Sequence, residues 1–284
     1  MNNNLSSSSS SLYQSILIKQ NEIIKDSFIN HVSSNKIAII IDPRYDSLME
    51  GVINNFMYFM NPNGWNLLIV SYSGYAKQIK ETFPFAEVKS IDDDLITLKD
   101  NIPNIDVDTY NNILLDIEFW KGLKETNICI FQKDCIMYKM FPDYFEKYDF
   151  AGANYYKREH CGFLYGGING GFSLRNRKTM IDCLENIDWE KIVEYRKGVL
   201  LTMINELIIS PYLDTKNEDV FFTIACEMLH KEVPDKLHRT FLSIEADINL
   251  ETCVYHGWHY NYHDYQTAIY MLKKSDLFCK YLNP

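Results

Sequence analysis

The chain has 284 residues, 46% of them hydrophobic and 23% charged, with a formal net charge of −10. That length and apolar content suffice to bury a core without disulfide staples, in one large domain or two small ones. The acidic balance excludes broad nucleic-acid binding, which needs a basic footprint, so an anionic ligand requires placed cations or a metal ion. The seven cysteines (Cys129, Cys135, Cys161, Cys183, Cys226, Cys253 and Cys279) are odd in number and scattered, with no C-x-x-C pair. This is the pattern of reduced thiols in a cytoplasmic setting, not of a disulfide framework. No apolar run approaches the roughly 20 residues of a membrane span, and the Asn- and Ser-rich start lacks the regions of a signal peptide. The expectation is a soluble, cytoplasmic protein with no nucleic-acid partner.

Residues 1–11 read as a disordered low-complexity tail and residues 12–35 as an N-terminal helical segment. Lys36 to Ile41 is a β-branched run ending at Asp42-Pro43, a buried strand. Ser47 to Met60 has helical spacing, with Leu48, Val52, Ile53, Phe56 and Phe59 on one side, and Asn61-Pro62-Asn63-Gly64 stops it. A strand from Trp65 to Val70, a short helix from Ala76 to Phe83 and a strand from Ala86 to Ile91 follow. A helix is predicted over Thr109 to Leu123 and a buried strand over Asn127 to Phe131. Short strands are predicted at Phe150 to Ala153 and Gly171 to Leu174, and helices at Lys178 to Leu184 and Asp219 to Leu229. Strands alternating with helices imply an α/β fold with a mostly parallel central sheet flanked by helices. In such sheets ligands sit beyond the carboxyl ends of strands, where Asp42, Ser71 and Asp134 are expected.

Four segments carry candidate chemistry. Asp134, past Ile128-Cys129-Ile130-Phe131-Gln132-Lys133, can face a diphosphate through a hard divalent ion, or simply cap a turn. Asn169-Gly170-Gly171, preceded by Gly166-Gly167, allows close backbone approach to a ligand, or makes a hairpin turn. Arg175 and Arg177 beyond it can offset phosphate charge or lie in solvent. Glu218-Asp219 opens an apolar helix; it favours the helix dipole, or supplies Asp219 as a general base. His256-Gly257-Trp258-His259, followed by His263, offers imidazole ligands, but no cysteine pair or H-E-x-x-H completes a zinc site. Trp258 can stack on a sugar or fill the core, as can many of the 20 Tyr and 16 Phe.

In this order the segments resemble glycosyltransferases of the GT-A fold, and most closely a family of glycosyltransferase-like domains known mainly from sequence. The resemblance rests on Tyr110 to Leu115, Phe119-Trp120, Phe131-Gln132-Lys133-Asp134, Tyr148 to Ala153, Asn169 to Arg175 and Glu218-Asp219. It spans about residues 36 to 262. It implies a single Rossmann-like GT-A domain over residues 36–284 that moves a sugar from a nucleotide-diphosphate donor, foremost a UDP-sugar, to a hydroxyl of a glycan, protein or small molecule. It implies Asp134 and His256 as ligands of Mn2+ or Mg2+, and Asp219 as the base of an inverting reaction. Arg44, Gln132, Asn169, Gly170 and Gly171 are implied as donor-binding. Gln132 departs from the D-x-D metal motif, and Ala153-Asn154-Tyr155 replaces an expected Pro-Trp. A non-catalytic carbohydrate or nucleotide-sugar binder and a sugar nucleotidyltransferase are the alternatives; the missing glycine-rich, lysine-bearing loop after the first strand argues against the latter.

Overall fold

The computed structural model describes residues 8–22, 24, 28–100, 102–154, 167–204, 216–245, 249–260, 265–275 and 277–278. Most of the expected tail, together with Tyr155, Cys161, Gly166, His263 and Cys279, lies outside the described residues.

Helix α1 (Ser9–Gln20) begins inside the segment expected to be disordered. The serine run supplies its own cap, since Ser8 accepts from Ser11 N–H, and Tyr13 and Leu17 are wholly buried. Of the 12–35 segment, only the part up to Gln20 belongs to this helix. Strand β1 (Lys36–Ile41) leads to α2 (Ser47–Met60), β2 (Asn66–Tyr72), α3 (Ala76–Thr82) and β3 (Glu87–Ile91). Helix α2 is capped by Asp46, which accepts from Met49 N–H at 2.9 Å. Its buried stripe is Met49, Val52, Ile53, Phe56, Met57 and Met60, rotated from the predicted one so that Leu48 and Phe59 are only half-buried.

The rotation has a partner. A Cβ on Gly51 would lie 2.1 Å from the Leu17 carbonyl oxygen, so the backbone of α1 rests directly on α2. Gly51→Ala is expected to prise the helices apart and cost about 1–3 kcal/mol, read as a lower midpoint in urea. An unchanged midpoint would show that α1 does not dock there.

A hairpin of β4 (Thr97–Lys99) and β5 (Ile102–Asn104) follows, then α4 (Val107–Leu115) and α5 (Ile117–Lys121). The single helix predicted over Thr109 to Leu123 is split because Asp116 adopts extended geometry and caps Glu118 N–H at 3.0 Å. The chain continues through β6 (Asn127–Phe131), β7 (Cys135–Met137), β8 (Phe150–Asn154) and β9 (Ile168–Asn176). Helices α6 (Arg177–Asn186), α7 (Trp189–Ile204), α8 (Glu218–Met228) and α9 (Lys236–Leu242) come next. Strands β10 (Ser243–Ile244) and β11 (Val254–His256) precede α10 (Tyr265–Lys274).

The main sheet has the order β3-β2-β1-β6-β9-β8. β1, β2, β3 and β6 run parallel, and β9 is antiparallel to both neighbours. The expectation of a mostly parallel α/β sheet is met. Strand alternation divides the core into two layers. Ala38, Ile40, Leu67, Ile69, Cys129 and Phe131 face the layer holding α1 and α2. Ile37, Ile39, Ile41, Leu68, Val70, Ile128 and Ile130 face the layer holding α4 and α8. Strand order reverses between β1 and β6, which places Asp42 and Gln132–Asp134 at the switch point. A second sheet, β10-β11-β7, carries His256 back to this end, with His256 paired to Cys135. Among the described residues no helix is long and apolar enough to cross a membrane.

Candidate active site

One cleft of about 620 Å³ opens at the switch point. Its walls include Arg44, Gln132, Asp134, Asn169, Gly170, Gly171, Asp219 and His256, the residues singled out in the sequence, now side by side. His259 and Trp258 line it as well, with Trp258 95% out of solvent and leaning on Tyr13 of α1.

The floor is a bulge, not the hairpin turn that Asn-Gly can signal. Gly152 pairs with Ser173 and Ala153 with Asn169, so Gly170, Gly171 and Phe172 stand unopposed by β8. On its other side the segment stays bonded to β6, where Gln132 N–H donates to Gly171 C=O at 2.9 Å. Asn169 Oδ1 accepts from Gly171 N–H at 2.8 Å, and its amide donates to Glu245 at 3.4 Å. Neither glycine has the positive φ seen at Gly64 and Gly257; close packing explains them. A Cβ on Gly170 would lie 2.3 Å from Glu218 Oε1, and one on Gly171 would lie 2.1 Å from His256 Nε2.

Glu218 and Asp219 open α8 but face different surroundings. Glu218 is buried and takes a two-pronged ion pair from Arg175, at 2.6 and 2.9 Å. Arg175, weighed in the sequence as a phosphate partner, is therefore committed inside the protein. Arg177 is likewise turned away, donating to the Leu123 carbonyl at 3.0 Å. Asp219 remains partly open to the cleft. Its Oδ2 accepts from Gly170 N–H at 3.2 Å and its Oδ1 from Val220 N–H at 2.7 Å. Burial first, and the Glu218 charge second, push its carboxyl up to about 7 against the pull of those N–H groups and Arg175.

Asp134 sits in the turn between β6 and β7. Its oxygens lie 3.6 Å from His256 Nε2 and 2.9 Å from His259 Nδ1. Burial alone would raise its carboxyl; the two imidazoles outweigh that and hold it below the usual carboxylate range. The backbone amides of Gly257 and Trp258 donate to the Asp134 carbonyl, at 3.0 and 3.3 Å, which ties the histidine loop to the turn. His259 had been weighed only as one member of a three-histidine zinc site, and its contact with Asp134 carries no local sequence signal.

Arg44 lies on the cleft wall just past β1. Arg44 grips Asp42, with Nε to Oδ1 at 2.9 Å and Nη2 to Oδ2 at 2.6 Å. Lys133, also on the wall, pairs with Asp46 at 2.5 Å. Asn111 was not singled out: its Oδ1 accepts from Glu218 N–H at 3.2 Å and so caps α8 from α4. Both residues lie in runs quoted for the resemblance, but nothing local in either run signals that the two meet.

A protein-family model described as "Protein of unknown function (DUF5672)" matches residues 94–256, more than half of the chain. The chain belongs to the DUF5672 family. The DUF5672 segment takes in the glycine bulge, Asp134, Asp219 and His256 but not Arg44, and is shorter than the span expected from the resemblance. No curated protein matches the chain. Mouse xyloside xylosyltransferase 1, in its apo form, is similar in structure with a TM-score of 0.51 and 10% identity, over 78% of this chain and 97% of that one. The galactosyltransferase LgtC, solved with donor and acceptor sugar analogues, is similar with a TM-score of 0.50 and 9% identity, over 84% of this chain and 95% of that one. At such identities the likeness establishes the fold, and this DUF5672 protein has the GT-A fold of glycosyltransferases.

The DUF5672 cleft also holds a group of side chains suited to a metal ion. Ligand atoms of Asp134, Cys135 and His256 lie within 4.8 Å of one another. Cys135 is the poorest of them for a hard ion: its thiol donates to Gly171 C=O at 3.3 Å, and burial keeps it well above its ordinary value. His256 Nδ1 is buried with no hydrogen-bond partner among the described residues. The nitrogen that faces the Asp134 carboxylate is Nε2, at 3.6 Å, a separation that a cation bound to both groups would bridge.

Proposed function

We propose that this protein transfers a sugar from a nucleotide-diphosphate donor, a UDP-sugar in the first instance, to a hydroxyl group of a glycan, protein or small-molecule acceptor, with inversion at the anomeric carbon. One observation carries the reading. A carboxyl poised near 7 and a carboxylate–imidazole pair abut neighbouring glycines in a single cleft of GT-A architecture.

Asp219 has the properties of a general base. A carboxylate can accept about four hydrogen bonds, and two here are used by backbone N–H groups, which leaves capacity for an acceptor hydroxyl. A base whose pKa lies near the working pH combines availability with proton affinity. As the acceptor oxygen bonds to the anomeric carbon, Asp219 takes its proton and the bond to the diphosphate breaks. The glycine bulge presents backbone, with no side chain in the way, to the donor sugar, and Asn169 holds that backbone in shape.

The diphosphate needs positive charge, and among the described residues the cleft walls have none to spare. Both wall cations are already bound to carboxylates, Arg44 to Asp42 and Lys133 to Asp46. A divalent cation held by Asp134 and His256 would supply Lewis-acid neutralisation of the leaving group. His259 orients the Asp134 carboxylate. A mixed oxygen and imidazole donor set favours Mn2+ over Mg2+, which prefers oxygen alone.

The test is a panel of nucleotide sugars in thermal-shift assays with and without Mn2+, followed by assay of nucleotide release without acceptor. A ligand at a hundred times its Kd stabilises the folded state by about 2.7 kcal/mol, enough to identify the donor. Expected is one preferred donor, a shift that depends on Mn2+, and slow release of the nucleoside diphosphate. A shift without release would mark a binder instead of an enzyme. Pyrophosphate formed from a nucleoside triphosphate and a sugar phosphate would mark a nucleotidyltransferase.

A further inference from the structure

Behind the cleft, hydrogen bonds form a circuit that begins and ends on Gly170. Gly170 N–H donates to Asp219 at 3.2 Å, and the adjoining Glu218 is held by the fork of Arg175 at 2.6 and 2.9 Å. Arg175 Nε donates to Ser173 Oγ at 2.9 Å, and the Ser173 hydroxyl donates to Gly170 C=O at 3.2 Å. The Ser173 hydroxyl accepts from Arg175 and donates to Gly170, as a hydroxyl can, so the circuit closes without a conflict of donors.

Its interior is dry. The Arg175 and Glu218 side chains are 0% and 4% exposed, and Ser173 is wholly buried. The guanidinium lies 5.0 Å from the Phe150 ring, 5.5 Å from Phe222 and 5.8 Å from Trp120. Neither Ser173 nor Arg175 lines the cleft. A buried ion pair is weak evidence for stability, because desolvating two charges offsets most of their attraction. Its geometric effect is clearer: it ties the first turn of α8 to the strand bearing the glycine bulge.

We propose that Ser173, Arg175 and Glu218 are positioning residues that lock Asp219 onto the glycine bulge, so that the proton acceptor and the donor-facing backbone move as one body. The proposal rests on the reading of Asp219 as the base. Among the described residues, the charged and titratable groups around Asp219 are Glu218 on its own helix and Arg175 on β9, with Tyr110 of α4 close to Glu218 and Arg175. Opening the circuit at Ser173 alters none of these charges. It frees Arg175 and the bulge to shift, and a displacement of about 1 Å can cost as much as a hundredfold in rate.

Ser173→Ala is therefore expected to lower kcat about ten- to a hundredfold with donor KM near that of the unmodified protein, and to lower the urea midpoint because the buried Arg175 Nε–H loses its acceptor. Ser173→Thr, which restores the hydroxyl, is expected to recover most of the rate. Glu218→Gln removes the charge that adds to burial in raising Asp219 and is expected to move the rise of rate with pH to lower pH. Unchanged kcat in Ser173→Ala, or equal loss in Ser173→Ala and Ser173→Thr at equal stability, would overturn the proposal by reducing Ser173 to packing. An unmodified protein that neither transfers nor hydrolyses any donor would instead remove the underlying assignment of Asp219, and the proposal with it.

Discussion

Asp219→Asn is expected to lower sugar transfer by about a hundred- to ten-thousandfold while donor affinity in the presence of Mn2+ stays close to that of the unmodified protein. The amide keeps the size of the carboxylate, and its oxygen can still accept from Gly170 or Val220 N–H, but it cannot take a proton. The pH dependence supplies a second signature. A base that titrates at about 7 must lose its proton to act, so the rate is expected to climb as pH rises through that value and then level off. The variant's residual rate is expected to lack this rise.

Stability should move in the opposite direction. The folded protein holds the Asp219 proton more tightly than the unfolded chain, so the associated stability is fully present below about pH 4 and lost as pH rises through about 7. Asp219→Asn, which never ionises, is expected to melt above the unmodified protein at pH 8, with the gap narrowing as the pH falls and closing below about pH 4. An inactive variant that is more stable is what a strained acid in a working site produces. Near-normal turnover in Asp219→Asn would refute its assignment as the base.

Asp134→Ala is expected to weaken Mn2+-dependent donor binding by more than about tenfold, measured by calorimetry with and without the ion. The fold should survive, because the amides of Gly257 and Trp258 bond to the Asp134 carbonyl, which alanine retains. Donor binding without metal should be weak in both proteins, since Arg44 and Lys133 are engaged elsewhere. Equal affinity with and without Mn2+ in the unmodified protein would discard the metal assignment.

How far the sequence carried can be judged from particular elements. β1 was legible because Lys36 to Ile41 is short, β-branched and closed by Asp42-Pro43, and local pattern alone fixes such a run. α2 was legible in extent but not in facing, since the contact that turns it is the Leu17 carbonyl on Gly51. α1 was missed at its start because a serine run looks featureless until one serine is seen capping the next turn. The helix predicted over Thr109 to Leu123 was broken by a single aspartate whose cap competes with continued helix.

The site shows the same division. The amino-acid order alone determined the alternation of strands and helices, hence the sheet and the end of it where a ligand would sit, and it marked Asp134, Gly170, Asp219 and His256. Those are outcomes of periodicity, chain stiffness and residue chemistry, which act over a few positions. Tertiary structure decided that Arg175 points into the core to meet Glu218 and not a phosphate, that the glycines form a strand bulge packed on Glu218 and His256, and that His259 braces Asp134. Each of these joins residues from different elements, often far apart in the chain. Its energy exists only once the intervening elements have packed, so no local stretch of sequence can encode it.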